Sequence, residues 1–408
     1  MNRAPIRVGL VVHTFNMGGL ERCVSHLLNH LDRTRFEPTL ICLGRNGSAS
    51  SWLNVTDVPI VELHKPPGRM GANFCRLVRD AFRERDLELV HSHNWGTLVE
   101  TAVATRLAGH IKHVHSERGT VLGGSTAKSP WRRTINSWVL RKTLEHCDAV
   151  LAVDNSVASR VSAASGYPQG RIQVIPNGVP QPPCGDREEA RLRIRKSLGV
   201  GPDETLVGSL GRLVHVKGYD LLISAMALAR TQCPQLHLVL VGDGPLEEQL
   251  RTQARQEGVD QLVHFAGRQT QVGDWLAASD VFVNSSRSEG MSQAIVEAMT
   301  YGLPLVVTDV GGNAGLVGGA EPCGLIVSPE DPAELAKALV KMVADKGRAS
   351  SFGRVGEDRA RQCFSLPAMI QRYEQLYETL LVNRLPRRQF RSRPVEAAIA
   401  GVDTREKS

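Results

Sequence analysis

Short apolar strands alternate with helical patterns along nearly all of this 408-residue chain, which predicts an α/β fold of two doubly wound, Rossmann-like domains. Two further observations argue for two domains. The chain is longer than one compact core usually covers. The strand–helix rhythm also breaks once, at "VIPNGVPQPPCGDREE", where prolines and a run of charge read as an interdomain linker. The expected layout is a first domain over 1–178, a linker over 179–203 and a second domain over 204–365. A final helix over 366–382 crosses back to the first domain, and a basic, disordered tail covers 383–408.

Each element has its own signal. "IRVGLVV" reads as the first strand, followed by the turn "HTFNMGG" and a helix with Leu20, Cys23, Val24, Leu27, Leu28 and Leu31 at the 3.6-residue period. "PTLICL", "LELVHS", "IKHVHS", "DAVLAV" and "RIQVIP" supply the other strands of the first domain. After the linker, "ETLVGSLGRL", "LHLVLVGDG", "LVHFAG", "DVFVNSS", "LPLVVTD" and "CGLIVS" form a second sheet of the same kind. Met369, Ile370, Tyr373, Leu376, Tyr377 and Leu380 mark the last amphipathic helix.

Composition narrows the class. No apolar stretch is long enough to cross a bilayer, and the N-terminal apolar run lacks the length and cleavage pattern of a secretory signal, so a cytoplasmic protein is expected. The eight cysteines lie far apart with no C-x-x-C pair or Cys/His cluster, which argues for buried thiols over a zinc site or a disulfide framework. Residues 1–180 hold 22 Lys and Arg against 14 Asp and Glu, a balance of +8, while the rest of the chain carries 27 against 28, a balance of −1. A basic first half points to an anionic partner such as a phosphorylated lipid or a membrane surface. Nucleic acid is not expected, because there is no zinc finger, RNP-like motif or aromatic-rich basic strand.

In open parallel sheets ligands lie beyond the C-terminal ends of the strands. There the second domain places "LGRLVHVKG", with Arg212 and Lys217 straddling a turn before a helix, and "VGDGP", a glycine turn with Pro245 at a helix start. It also places "SRSEGMSQAIVEAM", which puts Glu289 in a loop, Ser292 at an N-cap and Glu297 in the second turn of the helix that follows. Cations, free helix amides and two carboxylates that accept hydrogen bonds from vicinal hydroxyls describe a pocket for a sugar, a diphosphate and a ribose.

"MGGLER", "GRLVHVKG", "LVGDGP" and "FVNSSRSEGMSQAIVEAMTYGLPLVVTDVGGN" resemble the retaining GT-B glycosyltransferases of the large family that includes sucrose synthase and bacterial polysaccharide and lipopolysaccharide transferases. The resemblance runs to about Tyr377 and is densest from Leu206 to Asn313. It implies the GT-B fold, two facing Rossmann-like domains with an interdomain cleft. It also implies a retaining, metal-independent hexosyl transfer from a nucleotide-diphosphate sugar to a glycan or lipid-linked acceptor, with no cofactor. By the same resemblance Arg212 and Lys217 hold the diphosphate and Glu297 binds the ribose. Glu289 contacts the donor sugar beside the amides of Gly290, Met291 and Ser292. Gly18 and Gly19 close over the diphosphate, His115 lines the sugar, and Asn177 and Gly178 lie at the crossover.

Plainer readings stand beside these. The two glutamates can be solvated carboxylates near a helix start, Arg212 and Lys217 surface charges, Gly18 and Gly19 a simple turn, and His115 a hydrogen-bonded strand end. Competing functions are a nucleotide-sugar epimerase of similar fold and a non-catalytic nucleotide-sugar binder. A nicotinamide dehydrogenase is disfavoured because "VGSLGRL" is not G-x-G-x-x-G. In "PWRRTINSWVLRK", Trp131, Ile135, Trp138 and Val139 form one helical stripe with Arg132, Arg133, Arg141 and Lys142 off it. Such a stripe suits either a helix packed on the first sheet or one lying on an anionic membrane.

Overall fold

The computed structural model describes residues 4–65, 71–119, 130–182, 185 and 187–382. The basic tail from 383 onward lies outside the described residues. The chain divides into two compact units: residues 1–177 with the segment from 369 onward, and residues 178–368.

Unit 1 is a parallel sheet of β1 (Ile6–Val12), β2 (Phe36–Cys42), β3 (Ile60–Glu62), β4 (Leu89–His93), β5 (Lys112–Glu117), β6 (Ala149–Ala152) and β7 (Ile172–Val174), in the order β3-β2-β1-β4-β5-β6-β7. The crossover helices are α1 (Gly19–His30), α2 (Ala72–Glu84), α3 (Trp95–Ala108), α4 (Pro130–Glu145) and α5 (Asn155–Ser165). Helical crossovers between parallel strands cover the faces of a sheet and bury its strands. The periodic positions of α1 behave accordingly, with Cys23, Val24, Leu27, Leu28 and Leu31 buried and Leu20 at the margin. The short edge strand β3 was missed in the sequence, because "IVE" has only two apolar residues and no helix-period signal around it.

Unit 2 opens with α6 (Arg187–Leu198) and then carries a parallel sheet of β8 (Thr205–Leu210), β9 (Leu236–Val241), β10 (Val263–Gly267), β11 (Val281–Asn284), β12 (Leu305–Thr308) and β13 (Gly324–Val327). Its order is β10-β9-β8-β11-β12-β13. The intervening helices are α7 (Tyr219–Ala229), α8 (Glu247–Gln256), α9 (Val272–Ala278), α10 (Gln293–Thr300), α11 (Asn313–Val317), α12 (Pro332–Ala344) and α13 (Lys346–Cys363). Its core is almost wholly aliphatic, with Val207, Leu222, Leu238, Leu240, Val283 and Val306 all fully buried.

Part of the segment expected as a linker is α6, a helix of unit 2. Arg195, buried on α6, reaches Asp280 Oδ2 at 2.9 Å, and Arg191 reaches Asp280 Oδ1 at 2.5 Å, so the helix is fastened to the start of β11. The chain returns to unit 1 through α14 (Leu366–Val382), whose Tyr373 and Tyr377 are fully buried there. Glu374 accepts from the Asp32 amide at 2.9 Å and pairs with Arg35 at 2.8 Å. α4 packs through Leu140 and Leu144, which are buried, while Trp131, Ile135 and Trp138 are exposed. The helix is packed within unit 1 by the side opposite Trp131, Ile135 and Trp138, and Val139 of the expected stripe is half-buried.

Candidate functional site

The order of the second sheet reverses between β8 and β11, and the loops that leave these two adjacent strands meet. In doubly wound sheets this is where a ligand crevice forms. The meeting point is an ion pair: Lys217 Nζ lies 2.6 Å from Glu289 Oε1. Ser286 Oγ donates to the same oxygen at 2.7 Å, and Asn284 Nδ2 lies at 3.4 Å from it. Three donors converging on one carboxylate oxygen fix the direction in which it points. Beneath it the phenol of Tyr219 is held above its usual range, first by burial and then by the charge of Glu289.

Arg287 keeps the two loops together. Its backbone amide donates to Val216 O at 2.8 Å, its guanidinium grips Asp220 with two bonds of 2.7 Å, and it also donates to His215 O at 2.9 Å and Glu330 at 2.7 Å. The bonds from Arg287, foremost, hold the Asp220 carboxyl below its ordinary value. The approach is close enough to need glycine twice. A Cβ on Gly218 (φ +63°) would sit 2.1 Å from Ser285 O, and one on Gly311 (φ +57°) would sit 2.1 Å from Glu289 O. Sequence reasoning missed Arg287 and Asn284, since their partners lie far along the chain or on the opposite side of a loop.

Arg212 is exposed on the loop after β8. Glu297 stands in the second turn of α10, half-buried. Gly290, Met291 and Ser292 are buried just before that helix. Ser292 occupies the N-cap position without capping it; its Oγ accepts from Asn284 Nδ2 at 3.2 Å instead. The first-turn amides of α10 therefore keep no side-chain cap at that residue, which suits an incoming anion. Pro245 lies in the turn two residues before the first residue of α8.

The remaining expected residues belong to unit 1. Gly18 is the N-cap of α1 and Gly19 its first residue, at the loop that leaves β1. That loop borders the order reversal of the first sheet, between β1 and β4. His115 is only 1% exposed; Ser92 Oγ lies 2.8 Å from its Nδ1, and Glu117 lies 3.7 Å from its Nε2. It is enclosed in a buried polar network that the sequence did not reveal. His91 pairs with Tyr377 and Ser116, each at 2.7 Å, and His113 with Ser92 at 2.8 Å. Arg118 bonds Asn177 and, at 2.6 Å, the Tyr373 hydroxyl. Burial drives the pKa values of His91 and His93 well down and that of His113 to about 3. Among the described residues no cluster of three or more His, Cys, Asp or Glu is placed to hold a metal ion.

Residues 190–359 match the family described as Glycosyl transferases group 1, and residues 17–181 match Glycosyltransferase Family 4. A lipopolysaccharide core biosynthesis mannosyltransferase of Rhizobium meliloti is 30% identical over 58% of this chain and 67% of its own length. A GDP-mannose-dependent phosphatidylinositol monomannoside mannosyltransferase of Mycobacterium tuberculosis is 30% identical over 69% of this chain and 73% of its own. Among solved structures, HepE of Anabaena in complex with UDP superposes with a TM-score of 0.78 at 23% identity, covering 92% of this chain and 100% of that one. That likeness supports the GT-B fold class.

Proposed function

The chain belongs to the group 1 glycosyl transferases, and we propose that it is a retaining, metal-independent hexosyltransferase that moves a sugar from a nucleotide-diphosphate donor to a glycan or lipid-linked saccharide in polysaccharide or glycolipid assembly. The observation that carries the site assignment is the Lys217–Glu289 pair, held at the reversal of the second sheet and backed by Ser286 and Asn284.

The chemistry follows from what these groups offer. Lys217 and Arg212 supply positive charge to the diphosphate, and the first-turn amides of α10 supply the rest, so charge that builds on the leaving phosphate meets preorganised donors. Glu297 accepts from the ribose hydroxyls and Glu289 from the donor sugar. The bond from the anomeric carbon to the phosphate oxygen breaks as the acceptor oxygen bonds that carbon, and the departing phosphate takes the acceptor proton. In this scheme Glu289 positions the sugar and stabilises positive charge at the anomeric carbon; it is not a nucleophile. The roles proposed for Gly18, Gly19 and His115 rest on the resemblance alone.

No helix among the described residues is long and apolar enough to cross a membrane. We assign the enzyme to the cytoplasm, working against the membrane's inner face when its acceptor is lipid-linked.

Thermal stabilisation by a donor panel that includes GDP-mannose, UDP-glucose and an ADP-sugar identifies the nucleotide, since ligands of the native state raise its midpoint. With the best donor, Glu297→Ala should weaken donor binding about tenfold with turnover largely kept, whereas Glu289→Ala should lower turnover by roughly a hundredfold or more with nucleotide affinity within about threefold. Negligible effects of both changes would refute the assignment.

A further inference from the structure

We infer that the outer side of α4 is a docking surface for an anionic bilayer. Trp131 is 61% exposed, Ile135 50% and Trp138 60%, three of the eleven large hydrophobic side chains exposed among the described residues. They fall at i, i+4 and i+7, so they form one continuous stripe along the helix. The helix does not need this stripe for its own packing, because Leu140 and Leu144 bury its other side.

The charge around the stripe selects the occupant. Residues 130–145 carry Arg132, Arg133, Arg141 and Lys142 against Glu145 alone, a net charge of +3, within a half of the chain that is basic as a whole. Arg141 and Lys142 are about half exposed and share Glu145, at 3.0 and 2.8 Å. One carboxylate between two cations leaves positive charge at the stripe's C-terminal end. Two indoles and a branched aliphatic chain beside such cations match a headgroup layer, where the rings enter the interface and the cations meet lipid phosphates. A protein partner of acidic surface would answer the cations but gives no reason for two exposed indoles in line, and a second copy of this chain would set one cationic surface against another.

This surface shares no residue with the Lys217–Glu289 site, and its test involves no transfer reaction. Flotation with phosphatidylglycerol/phosphatidylcholine vesicles at low salt should carry the full chain to the top, with pure phosphatidylcholine or high salt lowering the bound fraction about fivefold or more. Trp131→Ser/Trp138→Ser should lower binding to the anionic vesicles about tenfold or more. Because both side chains are exposed, the variant should keep its melting midpoint and its stabilisation by nucleotide sugar. Arg141→Gln/Lys142→Gln should lower binding and flatten its salt dependence. No vesicle binding by the unaltered chain, or binding equal in the tryptophan variant, would overturn the inference. So would sedimentation velocity showing that the stripe instead holds two copies together, with the tryptophan variant splitting a dimer.

Discussion

The two units repeat one architecture and differ in where they keep their polar groups. In unit 2 the sheet interior is mostly aliphatic, with Ser209, His237, Asn284 and Thr308 its buried polar strand residues, and charge is concentrated in loops at the C-terminal strand ends, where Lys217 pairs with Glu289 and Arg287 with Asp220 across short distances. In unit 1 polarity enters the sheet itself: His91, Ser92 and His93 on β4 and His113, His115, Ser116 and Glu117 on β5 are all buried. Both ring nitrogens of His93 lack a hydrogen-bond partner among the described residues. The difference teaches that similar folds can have different weak points. Unit 2 should be robust in its core and sensitive in its loops. Unit 1 depends on keeping its buried imidazoles neutral.

Acid separates the units most strongly. His91, His93 and His113 have folded-state pKa values far below the ordinary 6.5, because burial disfavours the charged ring. The unfolded chain therefore binds protons that the folded chain refuses, and stability is full above pH 6.5 and falls as pH drops towards the folded values. By about pH 5.5 the three histidines together cost the folded state a few kcal/mol, on the order of 1 kcal/mol each. In unit 2, burial shifts His264 down in the same direction, but that ring is only half-buried. Four of the five tryptophans lie in unit 1 and one, Trp275, in unit 2. Between about pH 7 and 5.5 the melting midpoint seen by tryptophan fluorescence should therefore fall well ahead of any second transition seen by calorimetry. Equal shifts of both transitions would remove the contrast.

A smaller effect tests the link between the network and α14. Arg118→Met should destabilise unit 1 by about 2–3 kcal/mol, since it leaves the buried Asn177 carboxamide and Tyr373 hydroxyl without that donor. The readout is the urea midpoint of the tryptophan signal. Nucleotide-sugar stabilisation of unit 2 should persist in the variant, and its loss would mean that the units are not separable in this way.

How much of this was legible before the structure depends on the range of the signal. The strands of unit 2 read clearly because runs such as "LHLVLV" are nearly all apolar and end in glycine turns. Glu289 in its loop and Glu297 on α10 drew attention in the sequence because their spacing around a short apolar run has no packing explanation. α6 was hidden: the prolines before it suggested a linker, while its position is set by Asp280, far along the chain. The pairing of His91 and His113 left no sequence signal, because only the fold brings Tyr377 and Ser92 to them. The outward turn of Trp131 and Trp138 was equally unreadable, since helical periodicity gives a stripe without saying which side the rest of the protein takes.

Arg287 sharpens the comparison from the side of unit 2, where the smallest effect is expected and the most informative one. It touches neither Lys217 nor Glu289 in the bonds that define it; it ties the loop after β11 to Val216, His215 and Asp220 and so sets the distance between the two. It is a positioning residue. Arg287→Lys keeps a charge but not the two-pronged grip on Asp220, which an ammonium cannot reproduce. Transfer efficiency should fall about tenfold, roughly 1.4 kcal/mol of transition-state stabilisation, mostly in turnover, while the melting midpoint moves by only a few degrees. If stability instead falls as far as it does for Arg118→Met while turnover per folded molecule is unchanged, the loops of unit 2 are held for folding and not for catalysis, and the distinction drawn between the units fails at that point.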